Sequence, residues 1–362
     1  MKINAATAVI AGELVENIGL VIEENVIKEI TSQFEDAEVS YSGVLLPGFV
    51  DIHCHGGAGH YFNATSAQDI QKVIDIHRAN GTTTMLASLV TEPIAALKEQ
   101  IVRLLSFVQS GAIAGIHLEG PYLSPDKCGA HDPALLRDPV PAELQELLDV
   151  AEGAISMVTI APELPHGIEA IEFLVERGII AALGHSNADA ETTKRAVAAG
   201  ASVVTHFYNG LPKLDSKVPS ITLQALTEES LSLELINDGE HVDHGATELL
   251  LRSAPGRVLL VTDAMSAAGA SDGDYLIGAL GVEVKHGVAR LTSNGSLAGS
   301  TLTMKRAFGY LMNNFETSIE YASYCASTLP AQVLGIEYVG EIKVGAQANF
   351  VEYRDGEIFT VN

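Results

Sequence analysis

The segment GFVDIHCHGG, residues 48–57, ends an apolar run with two histidines two positions apart, His53 and His55. On an extended strand alternate side chains share a face, so both imidazoles point one way and Cys54 the other. Two imidazoles so placed can share an ion at Zn–N distances of about 2.0–2.1 Å. A short H-x-H also arises by chance, and alone it decides nothing. Four more residues change its weight: Glu119 in HLEGPYL, His185 in GHSNA, His206 in THFYN and Asp263 in VTDAM each follow a different apolar run. Imidazoles combined with carboxylates suit a catalytic zinc or iron site. An ion held there makes hydroxide available near neutral pH and polarises a carbonyl, which is the chemistry of hydrolysing an unreactive bond.

Residues 210 positions apart in the chain, such as His53 and Asp263, meet only if the scaffold returns again and again to one rim. Apolar runs that read as fully buried strands occur at residues 44–52, 83–90, 112–118, 155–160, 179–183, 201–205, 231–236 and 258–262. Helix-like segments lie between them, among them 67–79, 168–176 and 188–199, with Gly81, Gly178 and Gly200 as stop signals. Eight such alternations predict an α/β fold, a (β/α)8 TIM-like barrel over residues 46–335, in preference to a doubly wound sheet. Active-site groups of that fold project from the C-terminal ends of the strands, where all six residues named above fall. The two ends of the chain have another texture. Short strand-like stretches at 7–10, 18–22 and 26–30, and at 342–344, 348–353 and 358–361, predict a small β-sandwich domain built from residues 1–45 and 336–362.

Composition sets limits on partners. With 46 acidic and 21 basic residues the formal charge is -25, which argues against nucleic acid or an anionic membrane surface as partner. Any anionic substrate has to be held by local donors against that field. No apolar run approaches the ~18 charge-free residues of a membrane span, and the N-terminal stretch, interrupted by Glu13 and Glu16, does not read as a signal peptide. Cys54, Cys128 and Cys325 are odd in number and scattered, which points to a reducing cytoplasm and no disulfide framework.

The segments LPGFVDIHCHGG, HLEGPYLSPDKCGAH, TIAPE, GHSNA, THFYNGLP, DGEHVD, LVTDAM and LAGSTLTM stand in this order between Leu46 and Met304. Together they resemble the N-acetylglucosamine-6-phosphate deacetylases of the amidohydrolase superfamily. The resemblance implies that Glu119, His185 and His206 hold a principal divalent metal, zinc or iron, and that His53 and His55 can hold a second. It implies that Asp263 is the general base and then the general acid, and that His131 polarises the acetyl carbonyl. It also implies a phosphate site formed by backbone N–H groups at Asn209 and Gly210, by His241, and by a cation at the position of Lys217. In the family that position is an arginine, and lysine keeps the charge without the two-pronged geometry. Some of these groups cross between subunits in the family, so a homodimer is implied as well. The expected reaction is hydrolysis of the acetamide of N-acetylglucosamine 6-phosphate, a small-molecule amino-sugar phosphate, to glucosamine 6-phosphate and acetate.

Two other functions fit parts of the sequence. One is the same chemistry on N-acetylgalactosamine 6-phosphate or an unphosphorylated N-acetylhexosamine, favoured by Lys217 and the acidic surface. The other is a non-catalytic barrel that binds a sugar or metal, disfavoured by the presence of both Asp263 and His131. His117, on the same strand as Glu119, reads as a buttress to a ligand. His60, His77, His166, His244 and His286 read as surface or helix residues, Cys128 as an unligated loop thiol, and Glu163 as a rim acid whose contacts the sequence leaves open.

Overall fold

In the computed structural model, which describes residues 1–361, an eight-stranded parallel sheet runs in chain order. Its strands are Phe49–Asp51, Thr82–Leu89, Gly115–Glu119, Ile155–Ile160, Ile180–Leu183, Val203–Val204, Ser232–Ile236 and Val258–Val261. Each lies within or overlaps one of the eight apolar runs. These strands are buried on both faces, which is why continuous apolar stretches mark them better than alternation does. Helices such as Ala67–Arg78, Gly167–Val175 and Ala190–Ala198 cover the outside. Gly81, Gly178 and Gly200 follow these helices with φ of +87°, +72° and +103°, left-handed values that suit glycine. The first run divides in two. Val39–Pro47 belongs to another sheet, and Gly48, where a Cβ would collide with the Thr83 side chain, stands between it and Phe49–Asp51.

The barrel closes between its last and first strands by an irregular seam. The Asp263 N–H donates to the His53 carbonyl at 2.8 Å, and Cys54 and Ala264 form a parallel bridge. The buried Asp51 carboxylate completes the seam by accepting from Thr262 Oγ1 at 2.6 Å, from the Thr262 N–H at 3.3 Å and from the His53 N–H at 3.2 Å. Burial pushes the Asp51 carboxyl up to about 6 against these three donors. The seam therefore depends on a side chain at the point where His53 and Asp263 leave the barrel.

Six strands form a second sheet, in the order Glu357–Thr360, Phe350–Arg354, Val39–Pro47, Lys2–Ile10, Glu13–Glu23, Val26–Ser32. The edge strand Val26–Ser32 meets the segment leading into Phe350–Arg354 through a Val26–Gln347 bridge and an Ala348 N–H donated to the Asn25 carbonyl. The sheet thus bends around its own apolar core, with Ile3, Leu20, Ile27, Leu45, Ile342 and Phe350 inside. Residues 342–344 form no strand. A turn closes there, with the Ala346 N–H on the Lys343 carbonyl and Gly345 at φ +90°, so Ile342 enters the core while Val344 is 61% exposed.

One element was not anticipated. After the last barrel strand the chain forms a three-stranded antiparallel sheet, Gly273–Ile277, Leu280–Lys285 and Val288–Leu291, before helix Met304–Asn314. It packs on a small core of its own, in which Met265 and Ala267 from the barrel rim meet Ile277, Val282, Val284 and Leu291.

Candidate metal centre and active site

At the C-terminal rim the side chains of Glu119, His185, His206, His53, His55, Asp263 and His131 converge, all of them buried. His185, His206 and Asp263 have φ of +46°, +28° and +47°, an unusual region for residues other than glycine. Each such backbone conformation costs about 1–3 kcal/mol and has to be imposed by its surroundings. Here the turn lets a residue just past a strand end send its side chain inward over the barrel mouth.

The imidazole nitrogens sort themselves by what lies opposite Nδ1. In His185 and His206, Nδ1 faces the carbonyls of Lys127 at 2.7 Å and Asn209 at 3.2 Å. In His53 it faces Glu234 Oε2 at 2.9 Å, and in His55 the Ser88 carbonyl at 3.2 Å. An acceptor opposite Nδ1 keeps the proton there, so all four rings turn an Nε2 lone pair toward the centre. Those lone pairs face each other at 3.0 Å, both in the His185–His206 pair and in the His53–His55 pair. Glu119 lies between the pairs, with Oε1 2.9 Å from His206 and 3.2 Å from His185, and Oε2 3.1 Å from His55 and 3.6 Å from His53. Asp263 Oδ1 is 3.3 Å from His55 and 3.6 Å from His53.

Acceptors crowded this closely in a buried place require positive charge between them. Although burial pushes the Glu119 carboxyl up, the charge of His53 and the close imidazoles of His131, His185 and His206 hold it well below the usual range. Burial opposes a charge on His53, yet Glu234, Glu119 and Asp263 together hold that imidazole well above its ordinary value. Burial takes His185 down to about 4, toward the neutral ring a metal needs. The donor set fits a divalent metal ion, with His53, His55, Glu119 and Asp263 within ligand reach of one another and His185 and His206 beside them.

His131 is built the other way. Its Nδ1 lies 2.8 Å from Thr91 Oγ1 and 3.4 Å from the Thr91 backbone N–H, which can only donate. The ring proton is therefore on Nε2, 3.5 Å from Glu119 Oε2. His131 presents a hydrogen where the other four present lone pairs. His117 presents neither. Its nitrogens bond Ser88 Oγ at 2.9 Å and Thr159 Oγ1 at 2.8 Å, and its ring stands edge-on to His53.

A cavity of about 240 Å³ opens over this centre, and Asn209, Gly210 and His241 line it together with the metal-site residues. Lys217 does not reach it. That side chain lies in an exposed loop, where its backbone N–H bonds Asp215 at 2.7 Å. Glu163 accepts from Ser186 Oγ at 2.6 Å and from the Asn187 N–H at 2.5 Å, which shapes the loop following His185. His77 is a helix residue, but it is fully buried, with Nε2 on the Gly56 carbonyl at 2.9 Å and 3.2 Å from Cys54 Sγ. Asp51, Cys54 and His77 lie within reach of one another, but Asp51 is occupied by three donors and His77 by that carbonyl, so they make a structural cluster.

Sequence reasoning passed over several contributors. Ile277 comes to the cavity from the added three-stranded sheet, Tyr61 from the short strand His60–Tyr61 paired with Gly56–Gly57, and Met265 from the loop after the last barrel strand. Ser300 braces the strand end carrying Asp263, with its N–H on the Asp263 carbonyl at 2.8 Å and its hydroxyl on the Thr262 carbonyl at 2.5 Å. Glu234 is the most consequential. It is completely buried, and its Oε2 takes both the His53 Nδ1 proton and the His206 N–H at 3.0 Å. A single acid inside the apolar run LSLELI was the available signal. Glu234→Gln keeps an oxygen for both bonds and removes the charge, so the affinity for the ion at His53 and His55 is expected to fall about tenfold, the low end for partners of metal ligands. Metal titration with calorimetric or mass-spectrometric readout checks this, with the ion at His185 and His206 retained.

Comparison with known proteins gives a consistent set of relatives. Residues 44–353 match the amidohydrolase family. An N-acetylglucosamine-6-phosphate deacetylase of Vibrio furnissii is 35% identical over 312 residues, covering 85% of this chain and 78% of that protein. An N-acetylgalactosamine-6-phosphate deacetylase of Escherichia coli O157:H7 is 36% identical over 319 residues, covering 86% and 84%. Among solved structures, N-acetyl-D-glucosamine-6-phosphate deacetylase from Mycobacterium smegmatis aligns with a TM-score of 0.95 at 36% identity, over 99% of this chain and 97% of that one. A variant of that enzyme has been solved in complex with N-acetyl-D-glucosamine-6-phosphate.

Proposed function

This chain belongs to the amidohydrolase family, and from that premise we propose that it hydrolyses the acetamide of N-acetylglucosamine 6-phosphate to glucosamine 6-phosphate and acetate. The observation that carries the reading is the division of tautomers at the rim. Four imidazoles offer lone pairs beside a shared carboxylate, while His131 alone offers a proton. A site that only bound a sugar or a metal would need neither that donor nor a free acid.

In this reading Glu119, His185 and His206 would hold one ion, zinc or iron, and His53 and His55 would hold a second beside Glu119. Bound there, a divalent cation brings the pKa of water to about 7 and polarises the acetamide carbonyl. Asp263, ionised and beside His55, takes the proton of the attacking water and delivers it to the departing amine, which cannot leave as an anion. His131 Nε2–H donates to the oxygen that becomes negative as the tetrahedral carbon forms. Thr91 keeps that proton on the correct nitrogen.

For the sugar phosphate we propose contacts with the backbone N–H groups at Asn209 and Gly210 and with His241, all on the cavity wall. We also propose a homodimer in which Lys217 of one protomer reaches the phosphate end of its partner's cavity. The support is that Lys217 sits in an exposed loop between Leu214 and Val218, which are 42% and 56% exposed. A cytoplasmic setting accords with three cysteines that form no disulfide.

One specific observation favours a second reading: the Escherichia coli O157:H7 relative acts on N-acetylgalactosamine 6-phosphate at a similar level of identity. Acetate release from the two 6-phosphates and the two free sugars separates these readings. We expect kcat/KM to be highest for N-acetylglucosamine 6-phosphate, and at least about tenfold above its free sugar, the smallest effect of losing one charged contact. Equal values for phosphorylated and free sugars would rule out the phosphate site, and a preference for the galacto epimer would replace the substrate.

A further inference from the structure

Under the deacetylase reading the substrate brings a doubly charged phosphate to a protein of net charge -25. Among the described residues, no lysine or arginine of this chain lines the cavity. His241 does line it, and its Nδ1 lies 2.7 Å from Asp238 Oδ2, with the two side chains only 6% and 10% exposed. The other oxygen, Asp238 Oδ1, accepts the N–H groups of Glu240 and His241, both at 2.9 Å. Burial pushes the Asp238 carboxyl up, but the hydrogen bond and charge of His241 and the two N–H groups bring it below the usual range. Asp238 is therefore an anion whose every contact is a donor.

That anion decides what His241 can be. With a carboxylate at Nδ1 the proton stays on Nδ1, and a proton added at Nε2 makes an imidazolium whose charge is balanced by Asp238. The loop is also closely packed. Gly239, at φ +80°, lies so close to helix Met304–Asn314 that a Cβ there would meet the Tyr310 hydroxyl at 2.5 Å. With Nδ1 taken by Asp238, Nε2 is the ring nitrogen left for a ligand in the cavity.

We propose that Asp238 is a positioning residue that makes His241 the cationic contact for the sugar 6-phosphate, so that this buried pair sets the preference for phosphorylated over free sugar. The proposal rests on the deacetylase reading for the identity of the ligand. It goes beyond it by placing the discrimination in a residue that touches no substrate atom.

The informative variant is Asp238→Asn. Its oxygen still accepts from Glu240 and His241, while its amide faces Nδ1 and donates to it. The ring then carries its proton on Nε2 as a neutral donor, which preserves the bond and removes the charge. With the metal-loaded full chain, we expect KM for N-acetylglucosamine 6-phosphate to rise about tenfold with kcat within about twofold, as for loss of charge from one hydrogen bond. The kcat/KM for free N-acetylglucosamine should not change. His241→Gln should raise the same KM, and the double variant should lose no more than His241→Gln alone. A purely structural contribution from Asp238 would instead add to it. Calorimetric titration with glucosamine 6-phosphate reads the same contact without turnover. If the wild-type protein releases acetate from neither sugar yet binds glucosamine 6-phosphate about tenfold more tightly than Asp238→Asn, the reaction is wrong and the pair stands. Equal affinities for the two proteins, or an equal loss on both sugars, would overturn the proposal.

Discussion

Asp263→Asn is expected to lower kcat for acetate release by about 10³–10⁴-fold, the upper part of the range for removing a general acid–base group, while the protein folds and keeps its metal. The residue is held for one purpose by three separate features. Its backbone is at φ +47°, an expensive conformation that Ser300 and the His53 carbonyl fix from either side. Burial pushes its carboxyl up, but His53 and the neighbouring His55 hold it below the usual range, so the proton acceptor is present. Its Oδ1 lies on the His53 and His55 side of the centre, 3.6 and 3.3 Å from their Nε2 atoms. Asparagine matches the shape and still offers an oxygen, but it can neither accept the proton of water nor return it to the amine. The decisive measurement pairs single-turnover acetate release with metal content on the same preparation. Unchanged kcat at full metal loading would sink the mechanism.

Glu119→Gln is expected to do more, because one carboxylate serves both halves of the centre. Its two oxygens each face a pair of imidazole lone pairs, and replacing one oxygen by an amide nitrogen puts a donor hydrogen where an ion would be. The loss of charge affects both positions at once. Metal content should fall from about two ions per chain at saturation by more than the 10–100-fold affinity loss typical of outer partners, and activity should fall with it. A second readout is thermal. An ion present at about 100 times its Kd stabilises the native state by about 2.7 kcal/mol, so chelator should lower the Tm of the wild-type protein and leave that of Glu119→Gln unmoved. A variant that still binds two ions would show that Glu119 is no bridge.

The barrel and the residues at its rim could be read from the sequence for one physical reason. Strands buried on both faces are mostly apolar, so an imidazole or carboxylate at the end of an apolar run stands out, as Glu119, His185, His206 and Asp263 do, while the buried Glu234 and His117 inside their strands show that the rule has exceptions. The added three-stranded sheet escaped because only part of each strand is buried, as in Gly273–Ile277, where Ile277 alone is fully covered. What it does for the cavity depends on a spatial neighbour and not on a pattern. The tautomers escaped too. Whether a histidine offers a lone pair or a proton depends on the atom opposite Nδ1, and for His185 that atom is a carbonyl 58 positions away. Lys217 follows the opposite course: its motif position is plain in the chain, but it is exposed and does not line the cavity of its own protomer.

The small sheet has a consequence for the order in which the chain can be completed on a ribosome. Strand Val39–Pro47 pairs on one side with Lys2–Ile10 and on the other with Phe350–Arg354, and the Gly43 N–H is bonded to Glu352 across 309 positions. Until those late residues emerge, translation exposes one bare edge of Val39–Pro47, with Leu45 and Leu46 beside it, for the whole time the barrel takes to be made. Such an edge is a template for pairing with another chain. A nascent protein stalled before Phe350 would hold a finished barrel beside a sticky half-sheet, so quality control would meet the earliest residues as the last to be protected.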